Sequence, residues 1–554
     1  MNTLLEYLKF LYPDCFQSVY QQIEALIAKW RKKIFGFYDW VSERDVLLIA
    51  YGDGIRKRGE KPLKTLKRFM DKELAGYINL IHLLPIFPYS SDDGFSVVDF
   101  RRIDPALGTW EDIDRLRENY DLMFDAVLNH VSRSSRYFEE FLKCSPKYKN
   151  FFITASPAED YSAVVRPRTT PLFTAFDTAE GRKYVWTTFS SDQIDLNYRE
   201  PAVLLEMLDI LLLYASRGAR FIRFDAAGFL WKEKGTTCMH LPQVHILIKL
   251  MRLVLQQCAK GCTIITETNV PHRDNISYFG NGRDEAGLVY QFPLPPLTLY
   301  AFLSGRADKL TAWAASLEET SKDTTFFNFL ASHDGIGMRP VEDILDEEQK
   351  KFMVESVLKR GGQVSYRTTQ SGSEVPYELN INYLDAVAGD EGDTDMLVRK
   401  YMASQCVLLS MAGMPAVYYH SLLGSRNCYE DCRKSGIKRR INREKLDFDR
   451  LEEELSDPRS IRSKVLAKYK ELISKRKQHP AFHPNSGQKA LPLDGRVFAL
   501  LRGKGEDRIL VLINVSGEAF LLKTAYRGRN ILDGRTYENN IWMAPYQYLW
   551  IKLN

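Results

Sequence analysis

"ARFIRFDAAG", residues 219–228, is a short apolar run that closes on an acid and then on small residues. A run of this length bounded by turn-forming residues reads as a strand of a buried sheet. Seven other stretches have the same form: "VLLIAYG" (46–52), "NLIHLLPIF" (79–87), "LMFDAVLNH" (122–130), "TIITETN" (263–269), "LVYQFPLP" (288–295), "FFNFLASHD" (326–334) and "PAVYYHSLLG" (415–424). Polar loops and helical stretches separate them. Eight strand-then-helix units predict an α/β chain built as a (β/α)8 TIM barrel.

Five of the runs gather their polar residues at the C-terminal end: Asp125, Asn129 and His130; Arg223 and Asp225; Glu267; His333 and Asp334; Tyr419 and His420. That is the end at which barrel enzymes place their chemistry.

The 554 residues are too many for one ordinary core, so additions to the barrel are expected. Residues 1–43 read as an N-terminal helical extension, with apolar residues at helical spacing in "LLEYLKFLY" and "IEALIAKW". The barrel is expected over 44–486. About 90 residues separate the third run from the fourth, which marks an inserted domain at about 132–195. A second insertion at about 335–390 carries "SYRTTQSGSEVPYELNINY" and, above the barrel mouth, is a candidate lid. From 487 to 554 short alternating segments such as "RILVLINVSG" read as an antiparallel β-sandwich.

Composition narrows the function. With 45% hydrophobic and 27% charged residues the chain is an ordinary globular protein, which excludes disorder. A net charge of +5, spread over 76 basic and 71 acidic residues, is too weak for a nucleic-acid partner. The most apolar stretch, "AVLLEMLDILLLYASRGARFI", is broken by Glu206 and Asp209, and the N-terminus is acidic where a signal peptide is basic. A cytoplasmic protein with no membrane partner is expected. The eight cysteines lack the spacing of a zinc knuckle, so free thiols, no metal and no cofactor are expected.

Barrel closure brings together three acids, Asp225, Glu267 and Asp334, that lie 42 and 67 positions apart in sequence. Any one of them alone reads as a helix cap or a surface charge. Together they suit a glycosidic bond: retaining chemistry needs a carboxylate nucleophile and a protonated carboxyl about 5–5.5 Å from it. Arg223, two residues before Asp225, faces the same side of its strand and is expected to pair with it and keep it ionised. Asp334, with His130 and His333, would hold sugar hydroxyls and the distorted ring. The two glycines of "SHDGIGMRP" (332–340) are expected to let the loop behind Asp334 move.

The segments "FDAVLNH", "FIRFDAAGF", "IITETN" and "FLASHDG" resemble the four conserved regions of the α-amylase-type glycoside hydrolase family. The resemblance implies Asp225 as nucleophile, Glu267 as acid/base and Asp334 as transition-state stabiliser. "IHLLPIFPYSSDDGFSVVDF" and "HDGIG" are similar to the sucrose phosphorylase branch, whose members transfer a glucosyl group to phosphate with retention. On that resemblance Asp92, His130, Arg223, His333 and Arg439 hold the donor glucose, and Arg168, with Arg166 beside it, holds inorganic phosphate. Arginine suits phosphate through its planar, bidentate fork.

Three positions depart from the sucrose-specific pattern around the acceptor: Asn269 for a histidine, Phe229 for a tyrosine and Glu378 for a glutamine. The N-terminal helices, "TETNVPHRDNISYFG" and "GSEVPYELNINY" are instead most similar to the glucosylglycerate phosphorylases of that branch. This implies reversible phosphorolysis of 2-O-α-D-glucosylglycerate by double displacement, with Asn269, Tyr377 and Glu378 facing the acceptor. Phosphorylases of sucrose, sucrose 6-phosphate or glucosylglycerol are the alternatives. The branch includes monomers and homodimers. A non-catalytic barrel, the reading from another class, conflicts with the intact acids.

Overall fold

The computed structural model describes every residue except 1, 2, 35, 157, 369–372 and 390. Each of the eight runs coincides with a barrel strand to within one residue at its start: β1 (Leu47–Ala50), β2 (Leu80–Leu83), β3 (Asp121–Ala126), β4 (Ala219–Phe224), β5 (Thr263–Thr266), β6 (Leu288–Tyr290), β7 (Thr325–Asn328) and β8 (Met414–Tyr418). Each pairs in parallel with the next, and β8 returns to β1, so the sheet closes. The strands are apolar on both faces because side chains fill the barrel inside and helices cover it outside.

The runs are longer than the strands they contain. Asn129, His130, Asp225, Glu267, His333, Asp334, Tyr419 and His420 all lie just past a strand end. The backbone leaves the barrel ladder there, and five of these side chains, His130, Asp225, Glu267, His333 and Asp334, reach the barrel mouth.

Glu206 and Asp209, which interrupt the most apolar stretch, lie on the helix Pro201–Ser216. Pro201 opens that helix, where its missing N–H costs nothing, and the Glu200 side chain accepts from Ala202 N–H. Arg101 donates to Glu206 at 2.7 Å and to Asp209 at 2.8 Å. Trp30 and Lys29 donate to the other oxygen of Asp209 at 2.6 and 2.7 Å. Asp209 is thus an anchor for the N-terminal helix Phe16–Arg31, which together with Thr3–Leu11 buries Leu4, Leu8, Val19, Ile23 and Ile27 against the barrel helices.

Between β3 and β4 the chain adds two small antiparallel pairs, His130–Ser132 with Gln193–Asp195 and Phe173–Thr178 with Gly181–Trp186. Between β7 and β8 it adds a three-stranded sheet in which Glu374–Asn380 lies between Ile336–Gly337 and Gln363–Thr368. Part of the stretch read as a lid, residues 369–372, lies outside the described residues.

The C-terminal segment forms a six-stranded antiparallel sheet and a two-stranded one, Phe520–Leu522 with Ile541–Met543. Buried Arg502 and Trp550 fasten it to the barrel by donating to the carbonyl and hydroxyl oxygens of Ser410 at 2.6 and 2.9 Å. All eight cysteines are free thiols, five of them buried. Among the described residues no helix is long and apolar enough to cross a membrane.

Candidate active site

Strand register sets the acids side by side. Phe224 at the end of β4 is level with Thr266 at the end of β5, so the next residues, Asp225 and Glu267, emerge as neighbours. The Asp225 amide donates to the Ala126 carbonyl at 3.2 Å and the Glu267 amide to the Phe224 carbonyl at 3.1 Å. Ala226 takes a left-handed conformation, φ 49°, uncommon for a residue with a Cβ. Its N–H donates to Glu267 Oε2 at 3.1 Å.

Arg223 lies beneath the pair with its guanidinium buried. Nη1 is 2.9 Å from Asp225 Oδ1, and Nη2 is 3.8 Å from Glu267 Oε2. Nη1 also pairs closely with buried Asp125, whose other oxygen meets His82 Nε2 at 2.7 Å. The guanidinium is thus shared among three carboxylates.

Asp334 arrives from the end of β7. Asn442 donates to the carbonyls of Ser332 and Asp334 at 3.1 Å each, and Arg443 to that of His333 at 2.7 Å. Arg439 Nη1 is 2.6 Å from Asp334 Oδ1, an ion pair without hydrogen-bond angles. Arg443 Nη2 stands 3.6 Å from the same oxygen.

These acids line a cavity of about 80 Å³ at the barrel mouth, together with Asp92, Phe95, His130, Arg168, Phe189, Gln193, Ala226, Asn269, His333, Tyr377, Glu378 and Arg439. Of the thirteen residues expected from the sequence to act on or hold substrate, eleven stand in this wall and Arg223 lies beneath it. Arg166 does not line it: the guanidinium turns to the Thr170 carbonyl in its own loop. Arg168 lies 5.6 Å from the centre of the Tyr377 ring, within cation–π range.

A model of the α-amylase catalytic domain matches residues 72–363. The chain belongs to the α-amylase family. It is 47% identical to a glucosylglycerate phosphorylase of Allomeiothermus silvanus, over 99% of this chain and 98% of that one. It is 48% identical to a glucosylglycerate phosphorylase of Spirochaeta thermophila, over 93% and 89%. The crystal structure of sucrose 6F-phosphate phosphorylase from Thermoanaerobacter thermosaccharolyticum superposes with a TM-score of 0.75 at 26% identity, covering 90% of this chain and 98% of that one. The chain therefore stands with the phosphorylases of the α-amylase family, which are glycosyltransferases.

Electrostatics separate the three acids of this α-amylase-family pocket. Burial raises the Glu267 carboxyl to about 7, against the pull of Arg223. Burial also raises Asp225, so Arg223, already engaged by Asp125, does not offset desolvation as the sequence suggested. Of the two, the closer guanidinium contact favours charge on Asp225. Asp334 behaves oppositely: burial is outweighed by Arg439 and Arg443, which hold it far below the usual carboxylate range. Burial lowers His333 to about 3, so its ring, stacked on Phe95 at 4.6 Å, is neutral.

His130 faces the Phe95 carbonyl at 2.9 Å and Gln193 at 3.2 Å, while the Asn129 amide lies 3.2 Å from its Nδ1. Phe229 stands behind the wall, edge-on to Phe189 at 5.6 Å. Sequence reasoning missed Gln193, Phe95 and Arg443. Phe95 lies in "IHLLPIFPYSSDDGFSVVDF" but has no polar group to mark it, Gln193 stands in no quoted segment, and Arg443 is one basic residue among several in "KRRINREK".

The two glycines of "SHDGIGMRP" are closely surrounded. Neither Gly335 nor Gly337 has a positive φ. A Cβ on Gly335 would lie 2.9 Å from the Leu379 carbonyl, and one on Gly337 3.1 Å from the Asn269 amide. Both are small because backbone and side chains approach closely, not because the chain needs unusual dihedrals there.

Proposed function

We propose that this enzyme catalyses the reversible phosphorolysis of 2-O-α-D-glucosylglycerate to α-D-glucose 1-phosphate and D-glycerate, with retention. Asp225 attacks the anomeric carbon while the Glu267 proton passes to the leaving glycerate oxygen, giving a β-glucosyl-enzyme. Phosphate then attacks the same carbon, Glu267 takes up its proton, and the Asp225 carboxylate leaves. Asp334, kept ionised by Arg439, faces the charge that develops on the sugar ring.

One observation carries the mechanism: two carboxylates at neighbouring strand ends sit on one guanidinium at unequal distance, the nearer being Asp225. The substrate assignment is supported by the near full-length likeness to two glucosylglycerate phosphorylases. Glucose 1-phosphate release from glucosylglycerate and from sucrose, each with inorganic phosphate, tests it. Release from glucosylglycerate alone is expected; release from sucrose alone would overturn the acceptor while leaving the chemistry.

Arg168 is the candidate phosphate ligand. Arg168→Ala is expected to raise the KM for phosphate by about 10- to 100-fold, the cost of a lost charged hydrogen-bonding group, with a smaller change in KM for the glucoside. Unchanged phosphate dependence would remove Arg168 from the site.

The pH profile follows from Glu267. Its acid form donates the proton, so kcat/KM for glucosylglycerate should fall as pH rises through about 7. A rate flat to pH 9 would contradict the assignment.

A cavity of about 80 Å³ is smaller than the few hundred Å³ that ligand sites usually offer. Movement of residues 335–340, behind Asp334, and of 376–380, which carry Tyr377 of the pocket wall, would admit substrate and then phosphate. Crystals grown with and without phosphate in which both segments superpose would contradict this.

A further inference from the structure

The Glu378 carboxylate is buried in the pocket wall, and both of its oxygens are taken by one partner. Arg439 Nε donates to Oε2 at 3.0 Å and Nη2 to Oε1 at 2.5 Å, a bidentate fork. The remaining end of that guanidinium, Nη1, is the group 2.6 Å from Asp334 Oδ1. Glu378 and Asp334 thus sit on two sides of one planar cation. The fork fixes the plane of the cation, and with it the direction from which Asp334 is met.

The backbone supports the same relation. Glu378 is in register with Gly337, three residues after Asp334, so the strand that carries it is laced to the loop leaving the acid. Arg439 comes from a separate segment, Lys438–Asn442, and an arginine side chain with several rotatable bonds has no fixed aim unless a partner supplies it. A glutamine could make one of the two hydrogen bonds but could not balance the charge; an alanine could do neither.

From this geometry we infer that Glu378 is a positioning residue for the transfer reaction, holding Arg439 on Asp334, and not a contact to the acceptor. The inference concerns glucosylation of the enzyme and rests on the proposed double displacement. It does not depend on which acceptor leaves.

The test uses α-glucosyl fluoride, a donor with no glycerate, beside glucosylglycerate. Both are assayed with phosphate using wild type, Glu378→Gln and Glu378→Ala. A positioning residue affects both donors alike. Glu378→Ala is expected to lower kcat/KM on each by on the order of 100-fold, the usual consequence of a misplaced group, with Glu378→Gln between it and wild type. Wild-type rates on the fluoride from both variants, with loss confined to glucosylglycerate, would make Glu378 an acceptor contact and overturn the inference. If Glu378→Ala fails to fold, the near-isosteric Glu378→Gln decides alone: equal loss on both donors supports positioning, and no loss on the fluoride overturns it. Absence of wild-type activity on glucosylglycerate would instead count against the proposed substrate, and the fluoride comparison would still decide the role of Glu378.

Discussion

Asp225→Asn is expected to abolish transfer, lowering the rate of glucose 1-phosphate formation by about 10,000-fold or more, as when a covalent nucleophile is removed. The amide has nearly the shape of the acid but cannot form the glycosyl ester. The fold should survive. Arg223 keeps its closer partner Asp125, and the substituted carboxyl is one that burial already disfavours in its charged form. Steady-state assay together with a melting curve checks both halves: an inactive protein that melts near the wild-type temperature fits, and near wild-type release would sink the assignment of the nucleophile.

Glu267→Gln is expected to discriminate between leaving groups. Glycerate leaves as a poor alkoxide unless protonated, so its departure should slow by about 100- to 10,000-fold, the range of general acid catalysis. Fluoride needs no proton, and cleavage of α-glucosyl fluoride should be far less affected. Phosphate arrives as an anion, so return of the glucosyl group to it also needs little help from the base. The alkaline fall in rate set by Glu267 should disappear in this variant. Equal losses on both donors would deny Glu267 the role of acid.

The barrel was legible because its strands are short apolar runs whose ends carry the polar residues, a pattern set by burial. Asp225, Glu267 and Asp334 could be found for the same reason: the first two follow directly on a strand, Asp334 comes six residues past the end of β7, and the order of strands dictates who meets whom. What could not be read were relations made by closure. Arg223 was expected to serve Asp225, its neighbour along the strand, yet its closer contact is Asp125, level with it on β3. Nothing in "YELN" shows that Arg439, 61 positions on, takes both oxygens of Glu378. Arg166 and Arg168 look equivalent in "RPR", but only Arg168 reaches the pocket wall. The loop glycines show the limit most simply, since nothing in "SHDGIGMRP" shows how closely Leu379 and Asn269 approach Gly335 and Gly337.

The most direct test is to look for the glucosyl-enzyme itself. Glu267→Gln is incubated with α-glucosyl fluoride without phosphate, quenched in acid and examined by mass spectrometry after digestion. The predicted result is a peptide containing Asp225 that is heavier by one glucosyl unit and loses it when phosphate is added before the quench. An unmodified Asp225 peptide in enzyme that is turning over, or a glucosyl unit on any other residue, would contradict the mechanism.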